Sequence, residues 1–153
     1  MDVVVEIPRG RRNKYEVDHE RGVVRLSRRV FAPVAFPADY GYVHGSMGSD
    51  GDELDALVLL NEETYPGVWV TARVVGGLRL QIGDRREEKI ITVAVSDPAY
   101  DDTRELADLP PSVVAEIEAF FEMYRSLEKG ATPRVVDRMG ADASRAAVAD
   151  GRR

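Results

Sequence analysis

Six short runs of β-branched and apolar residues, each broken off within a few positions, fill the first two-thirds of the sequence. Val3-Val4-Val5-Glu6-Ile7 stops at Pro8. Lys14 to Val17 and Val23 to Leu26 flank a turn through His19-Glu20-Arg21-Gly22. Ala56-Leu57-Val58-Leu59-Leu60, Val68 to Val75 and Ile90 to Val95 follow, with Gly and Pro punctuating the chain at short intervals. Runs of this length and composition favour pleated backbone. Ala56 to Leu60 lacks polar alternation, so it reads as a strand buried on both faces. Strands this short and this dense predict a small barrel or sandwich.

The periodicity changes after Pro98. Val113, Ile117, Phe120, Phe121, Tyr124 and Leu127 recur at helical spacing. Pro110 and Pro111 suit a first turn, and Gly130 suits the position just past the last. A helix is therefore predicted from about Pro110 to Lys129, with its apolar stripe on the barrel. The alanine-rich tail from Gly140 to Arg153 predicts a short helix with a frayed end at Gly151-Arg152-Arg153. The expected class is α+β, mainly β, in a single domain over residues 1–153. The barrel part covers about 1–98 and the helical part about 99–153. No repeat, low-complexity tract or linker interrupts it, and a chain of this length buries about two-thirds of its unfolded surface.

Composition removes several functions. With 21 Lys plus Arg against 27 Asp plus Glu, the net charge is −6. That balance argues against general nucleic-acid binding, which needs surplus cations on phosphate. At 7% aromatic, the chain also gives little support to a single-strand binder with stacking platforms. No cysteine is present, which excludes a disulfide framework, a thiolate zinc site and a cysteine nucleophile. No apolar run approaches the roughly 18 residues of a membrane span. Met1-Asp2-Val3-Val4-Val5-Glu6 lacks the basic-then-apolar order of a signal peptide, so the cytoplasm is the expected compartment.

The chemistry concentrates in Asp50-Gly51-Asp52-Glu53-Leu54-Asp55, directly ahead of the Ala56 run. Hard divalent cations take several oxygen ligands, and carboxylates converging from a loop supply them. Gly51 permits a sharp turn. The apolar strand that follows holds Asp55 at the edge of the core, where an unpaired carboxylate is costly and a metal offsets the cost. A solvated acidic turn is the ordinary alternative. An EF-hand does not fit, because Leu54 falls on the fifth ligand position and Asn61 on the twelfth. No GxxxxGK[ST] or HExxH occurs, and His19 and His44 are read as turn residues rather than parts of a Ser/His/Asp triad.

The loop resembles the D-[SGDN]-D-[PE]-[apolar]-D signature of the soluble, family I inorganic pyrophosphatases. Val5-Glu6-Ile7-Pro8, Asn13 to Asp18, Pro37-Ala38-Asp39-Tyr40-Gly41-Tyr42 and Phe120 to Glu128 resemble further family blocks in the family's order. The resemblance covers roughly residues 3–130. It implies a five-stranded OB-like β-barrel with flanking helices. It also implies hydrolysis of pyrophosphate to two phosphates, Mg²⁺ as cofactor with Mn²⁺ or other divalent ions as alternatives, and a homo-oligomer, commonly a hexamer in prokaryotes. Asp50 and Asp55 match metal-ligand positions, and Asp52 matches the acceptor of the water's proton. Glu6 and Glu16 match positions supporting metals directly or through water. Lys14, Arg28, Tyr40, Lys89 and Tyr124 match positions that hold phosphate oxygens. Arg125 stands where a Lys follows the family tyrosine and joins that group.

Departures from the pattern set the open questions. An ungapped alignment of Val75 to Lys89 puts Ile82 where the family has a metal-binding Asp. Glu87 falls where it has a second, and keeps the charge on a longer side chain, as metal ligand and catalytic carboxylate. Asp84 is the nearby candidate to stand in for Ile82. Phe36 replaces a Tyr, Ala131 a Lys, and the C-terminal segment is short. Two expectations follow: a pyrophosphatase with metal binding intact at Asp50 and Asp55, or a weakened relative that binds metal and phosphate or takes another phosphoanhydride. Either way the net charge finds a use. Carboxylates gathered in one cavity attract divalent cations, and a metal-loaded cavity then attracts an anionic substrate.

Overall fold

The structure, a computed structural model, describes residues 1–152 of the 153; of the predicted frayed end Gly151-Arg152-Arg153, Arg153 lies outside the described residues. The six apolar runs all fall on strands. These are β1 (Asp2–Ile7), β2 (Asn13–Asp18), β3 (Val23–Arg29), β5 (Asp55–Leu59), β6 (Trp69–Ile82) and β7 (Arg85–Ala94). Two more join them: β4 (Asp39–Val43) and β8 (Arg134–Met139).

Five strands close on themselves in the order β1-β4-β5-β7-β6, the ring completed by pairing of β1 with β6 at Val3↔Val70. β5 and β7 run parallel and the other pairs antiparallel. This is the five-stranded, OB-like arrangement that the family resemblance implies, as a mostly β fold with two helices. β8 was not anticipated. Its residues, Arg134-Val135-Val136-Asp137-Arg138-Met139, are mostly exposed and show no clean alternation, so pairing with β6 at Gly77 to Gln81 decides their conformation. β2 and β3 form a separate hairpin, with Lys14 opposite Arg28 and Glu16 opposite Arg25.

The ring is tight. Val3, Val5, Val43, Ala56, Val58, Val70, Ala72, Val74, Ile90 and Ala94 from all five strands pack into one cluster of small side chains. β4 crosses β1 so closely that a Cβ on Gly41 would lie 1.8 Å from the Val4 carbonyl oxygen. The alternate residues of the same strands face a second cluster. Leu57 and Leu59 of β5, Leu78, Leu80 and Ile82 of β6, and Ile91 and Val93 of β7 meet the helix α1 (Pro111–Met123) there.

α1 buries Val114, Ile117, Phe120 and Phe121, the predicted stripe, but ends at Met123, short of Lys129. The apolar surface runs out beyond Tyr124: Leu127 is half exposed. Backbone bonds shorten to i→i−3, with Ser126 N to Met123 O at 2.9 Å and Glu128 N to Arg125 O at 3.0 Å, so the chain tightens into turns. The tail forms the expected short helix, α2 (Ala141–Asp150), with Ala141, Ser144 and Val148 buried. No helix among the described residues is long and apolar enough to cross a membrane.

Candidate active site

The strand period builds the site. Arg85, Glu87 and Lys89 alternate on β7, so all three share the face that continues into Ile91 and Val93. The parallel register sets Asp55, first residue of β5, opposite Lys89. The Lys89 ammonium, 1% exposed, donates to Asp55 Oδ2 and to Glu87 Oε2, the latter at 3.0 Å. Its nitrogen also lies 5.8 Å from the centroid of the Phe121 ring. Asp55, at the edge of the core with 34% of its side chain exposed, thus has a lysine as partner.

Above this pair opens a cavity of about 240 Å³. The carboxylates of Asp50, Asp52, Asp55 and Glu87, the cations of Lys14, Arg28, Arg85 and Arg125, and the phenols of Tyr40 and Tyr124 line it together. The loop reaches the cavity because it is tied at both ends. Asp50 Oδ1 accepts from Asp52 N at 3.1 Å and Ser46 Oγ accepts from Leu54 N at 2.9 Å. Gly51 turns at φ +90°, a conformation open to glycine at little cost. Asp52 is exposed and lines the cavity.

Burial pushes the Tyr40 and Tyr124 phenols up, well up for Tyr40, so both stay neutral donors. The Tyr124 hydroxyl is buried and has no hydrogen-bond partner, an arrangement that normally needs an explanation; an oxyanion in the cavity would supply one. Burial alone would lower the Lys89 pKa, but the oxygens of Tyr40, Asp55, Tyr124 and Glu87 outweigh it and hold the ammonium charged. Arg125 stacks over Tyr124, 5.2 Å from the ring centroid.

The candidates divide by position. Asp50, Asp52, Asp55, Glu87, Lys14, Arg28, Tyr40, Tyr124 and Arg125 line the central cavity, and Lys89 lies beneath it. Glu6 pairs with Lys14 at 3.6 Å, but it faces a neighbouring depression shared with Glu16, Tyr42 and Glu53. Glu6 is pushed up from 4.5 to about 7, first by burial, with the Asp55 and Glu16 charges adding to it against the pull of Lys14. Glu16 accepts from Ser27 Oγ at 2.9 Å. Ile82 is 6% exposed and packs in the α1 cluster, and Asp84 sits in the exposed β6–β7 turn, apart from the cavity lining. Sequence reading passed over Arg85, Glu53 and Glu128, which also line the cavity. For Arg85 the signal was present in the alternation with Glu87 and Lys89; for Glu128 nothing local pointed inward.

Among the described residues no three acidic or histidine side chains are gathered at metal-ligating distance. The carboxylates sharing the cavity are nevertheless an all-oxygen donor set of the kind hard divalent cations take, with waters completing the shell. Asp50, Asp55 and Glu87 fit that role by chemistry.

A family model described as inorganic pyrophosphatase matches residues 3–153. An inorganic pyrophosphatase of Streptomyces coelicolor is 42% identical over 147 residues, 96% of this chain and 90% of that protein. One of Corynebacterium glutamicum is 45% identical over 130 residues, 85% of this chain and 82% of that protein. The crystal structure of the inorganic pyrophosphatase from Thermus thermophilus superposes with a TM-score of 0.90 at 36% identity, covering 99% of this chain and 88% of that one.

Proposed function

This chain belongs to the inorganic pyrophosphatase family, and from that premise we propose how it hydrolyses inorganic pyrophosphate to two phosphates. The observation that supports the reading is the lining of the 240 Å³ cavity, which brings together carboxylates, four cations and two neutral phenols. Mg²⁺ is the proposed cofactor, with Mn²⁺ or another divalent ion as alternative. Asp50, Asp55 and Glu87 would hold it, with Glu6 and Glu16 supporting through water. Bound there, divalent ions polarise phosphoryl oxygens and make water nucleophilic at neutral pH.

The chain's own groups supply the rest. Lys14, Arg28 and Arg125 bind the phosphate oxygens as charges, and Tyr40 and Tyr124 as neutral donors. Lys89 orients Asp55 and Glu87 by donating to both. Asp52, exposed and without an ion pair among the described residues, takes the proton as the water oxygen bonds to one phosphorus. The P–O–P bridge then breaks, and its oxygen leaves with the second phosphate.

Phosphate release from pyrophosphate with Mg²⁺ tests this. Asp52→Asn is expected to lower kcat by roughly 10²-fold or more, with Mn²⁺ binding retained. Equal rates in both proteins would sink Asp52 as the base. The proposed compartment is the cytoplasm, with a single pyrophosphatase-like domain per chain in a homo-oligomer, hexameric by family resemblance; sedimentation gives the subunit number.

A further inference from the structure

Three cations of the cavity share one arrangement. Lys14 rests 3.6 Å from Glu6, Arg28 3.5 Å from Glu128, and Arg85 3.6 Å from Glu87. Close charge-assisted bonds run to about 2.7–2.9 Å, so each of these is a loose pair that a better anion can displace. Lys14 and Arg28 belong to the proposed phosphate-binding set. Arg85 lines the same cavity with the same loose pairing, yet the family resemblance assigns it no role. From this we infer that Arg85 is a further pyrophosphate-binding residue, which moves from Glu87 onto a phosphate oxygen when substrate enters.

The strand geometry supports the assignment. Arg85 stands two residues before Glu87 and four before Lys89, on the same face of β7. It extends the row from the buried ammonium outward to the mouth. Its cross-strand partner is Ile82, buried and apolar, which has no charge to hold the guanidinium back. The side chain is 62% exposed, so its movement breaks no packing. Glu87 has both oxygens engaged, Oε2 by Lys89 and Oε1 by Arg85. Departure of Arg85 leaves Oε1 free for a divalent cation while Lys89 still orients the carboxylate. Arg85 thereby couples two events: substrate binding draws the guanidinium away, and Glu87 becomes available.

This inference rests on the pyrophosphatase reading. The test measures binding of methylenediphosphonate, a pyrophosphate analogue with no hydrolysable bridge, by calorimetry with Mg²⁺, beside steady-state pyrophosphate hydrolysis. Arg85→Ala is expected to weaken analogue binding roughly tenfold or more, the loss of a charged hydrogen bond, and to raise KM more than it lowers kcat. Arg85→Lys is expected to restore part of the affinity, since it keeps the charge but loses the planar fork. Mn²⁺ binding without the analogue is expected to be equal or tighter in Arg85→Ala. Unchanged analogue affinity in Arg85→Ala overturns the inference while leaving the activity reading standing. Weaker Mn²⁺ binding with unchanged analogue affinity also overturns it, and assigns Arg85 to holding Glu87 in place. Wild-type protein that neither binds the analogue nor releases phosphate overturns both readings.

Discussion

Lys89 is an ammonium with 1% of its surface in water, a state that an isolated lysine does not tolerate. It persists because Asp55 and Glu87 meet it from two strands and the Phe121 ring lies 5.8 Å away. Removing one member of such a group costs more than the group is worth, because the others stay buried and charged. Lys89→Met in metal-free protein is expected to lose about 3–5 kcal/mol of unfolding free energy, read by urea titration. A divalent cation can replace the missing positive charge, so Mg²⁺ is expected to raise the Tm of the variant more than that of the wild type. Equal Mg²⁺ shifts in the two proteins would show that the metal does not use these carboxylates.

At the scale of elements, the site depends on how β1, β4 and β5 lie against one another. β4 brings Tyr40 to the cavity and β5 brings Asp55, and both positions follow from the register Val5↔Gly41 and Tyr42↔Asp55. Gly41 makes that approach possible, since a Cβ there would meet the Val4 carbonyl oxygen at 1.8 Å. Gly41→Ala is therefore expected to separate β1 from β4 and to destabilise by at least ~3 kcal/mol, the upper end of the usual range for a point substitution. Amide exchange should rise first in β1 and β4, and a variant with wild-type exchange there would refute the account. The length of α1 has a similar local cause. Past Tyr124 the packing weakens, with Leu127 half exposed, and the chain turns by i→i−3 bonding through Arg125 and Glu128, both of which line the cavity.

For the whole molecule, the net charge of −6 and the acidic cavity predispose stability to respond to pH and to metal. Glu6 keeps its proton to about pH 7 when folded, against 4.5 in the reference state. Between those values the folded chain binds more protons than the unfolded chain, so Glu6's contribution is fully present below about 4.5 and is lost as the pH rises through 7. Metal-free Glu6→Gln is expected to exceed wild type by about 3 to 3.5 kcal/mol at pH 8, at about 1.4 kcal/mol per pKa unit over the rise from 4.5 to about 7. The difference should vanish near pH 4.5. An offset independent of pH in urea unfolding would count against it. Bound divalent ions favour the ionised carboxylate and should flatten the dependence.

The sequence by itself determined the strand runs, the apolar stripe of α1 and the aspartate loop, because these are written in local periodicity and in motif spacing that survive any tertiary context. It also carried the family resemblance, hence the five-stranded fold. Tertiary structure decided the rest. β8 is a strand only because β6 offers it an edge, and α1 stops where its packing surface stops. Asp55 meets Lys89 because β5 and β7 pair in parallel across 34 residues of sequence, a relation no local pattern encodes. Glu128 reaches Arg28 across 100 residues, and Glu6 and Glu16 fall in a separate depression from Asp50 and Asp55. Which charges neutralise one another is a property of distance in space, and only the closed ring of strands sets those distances.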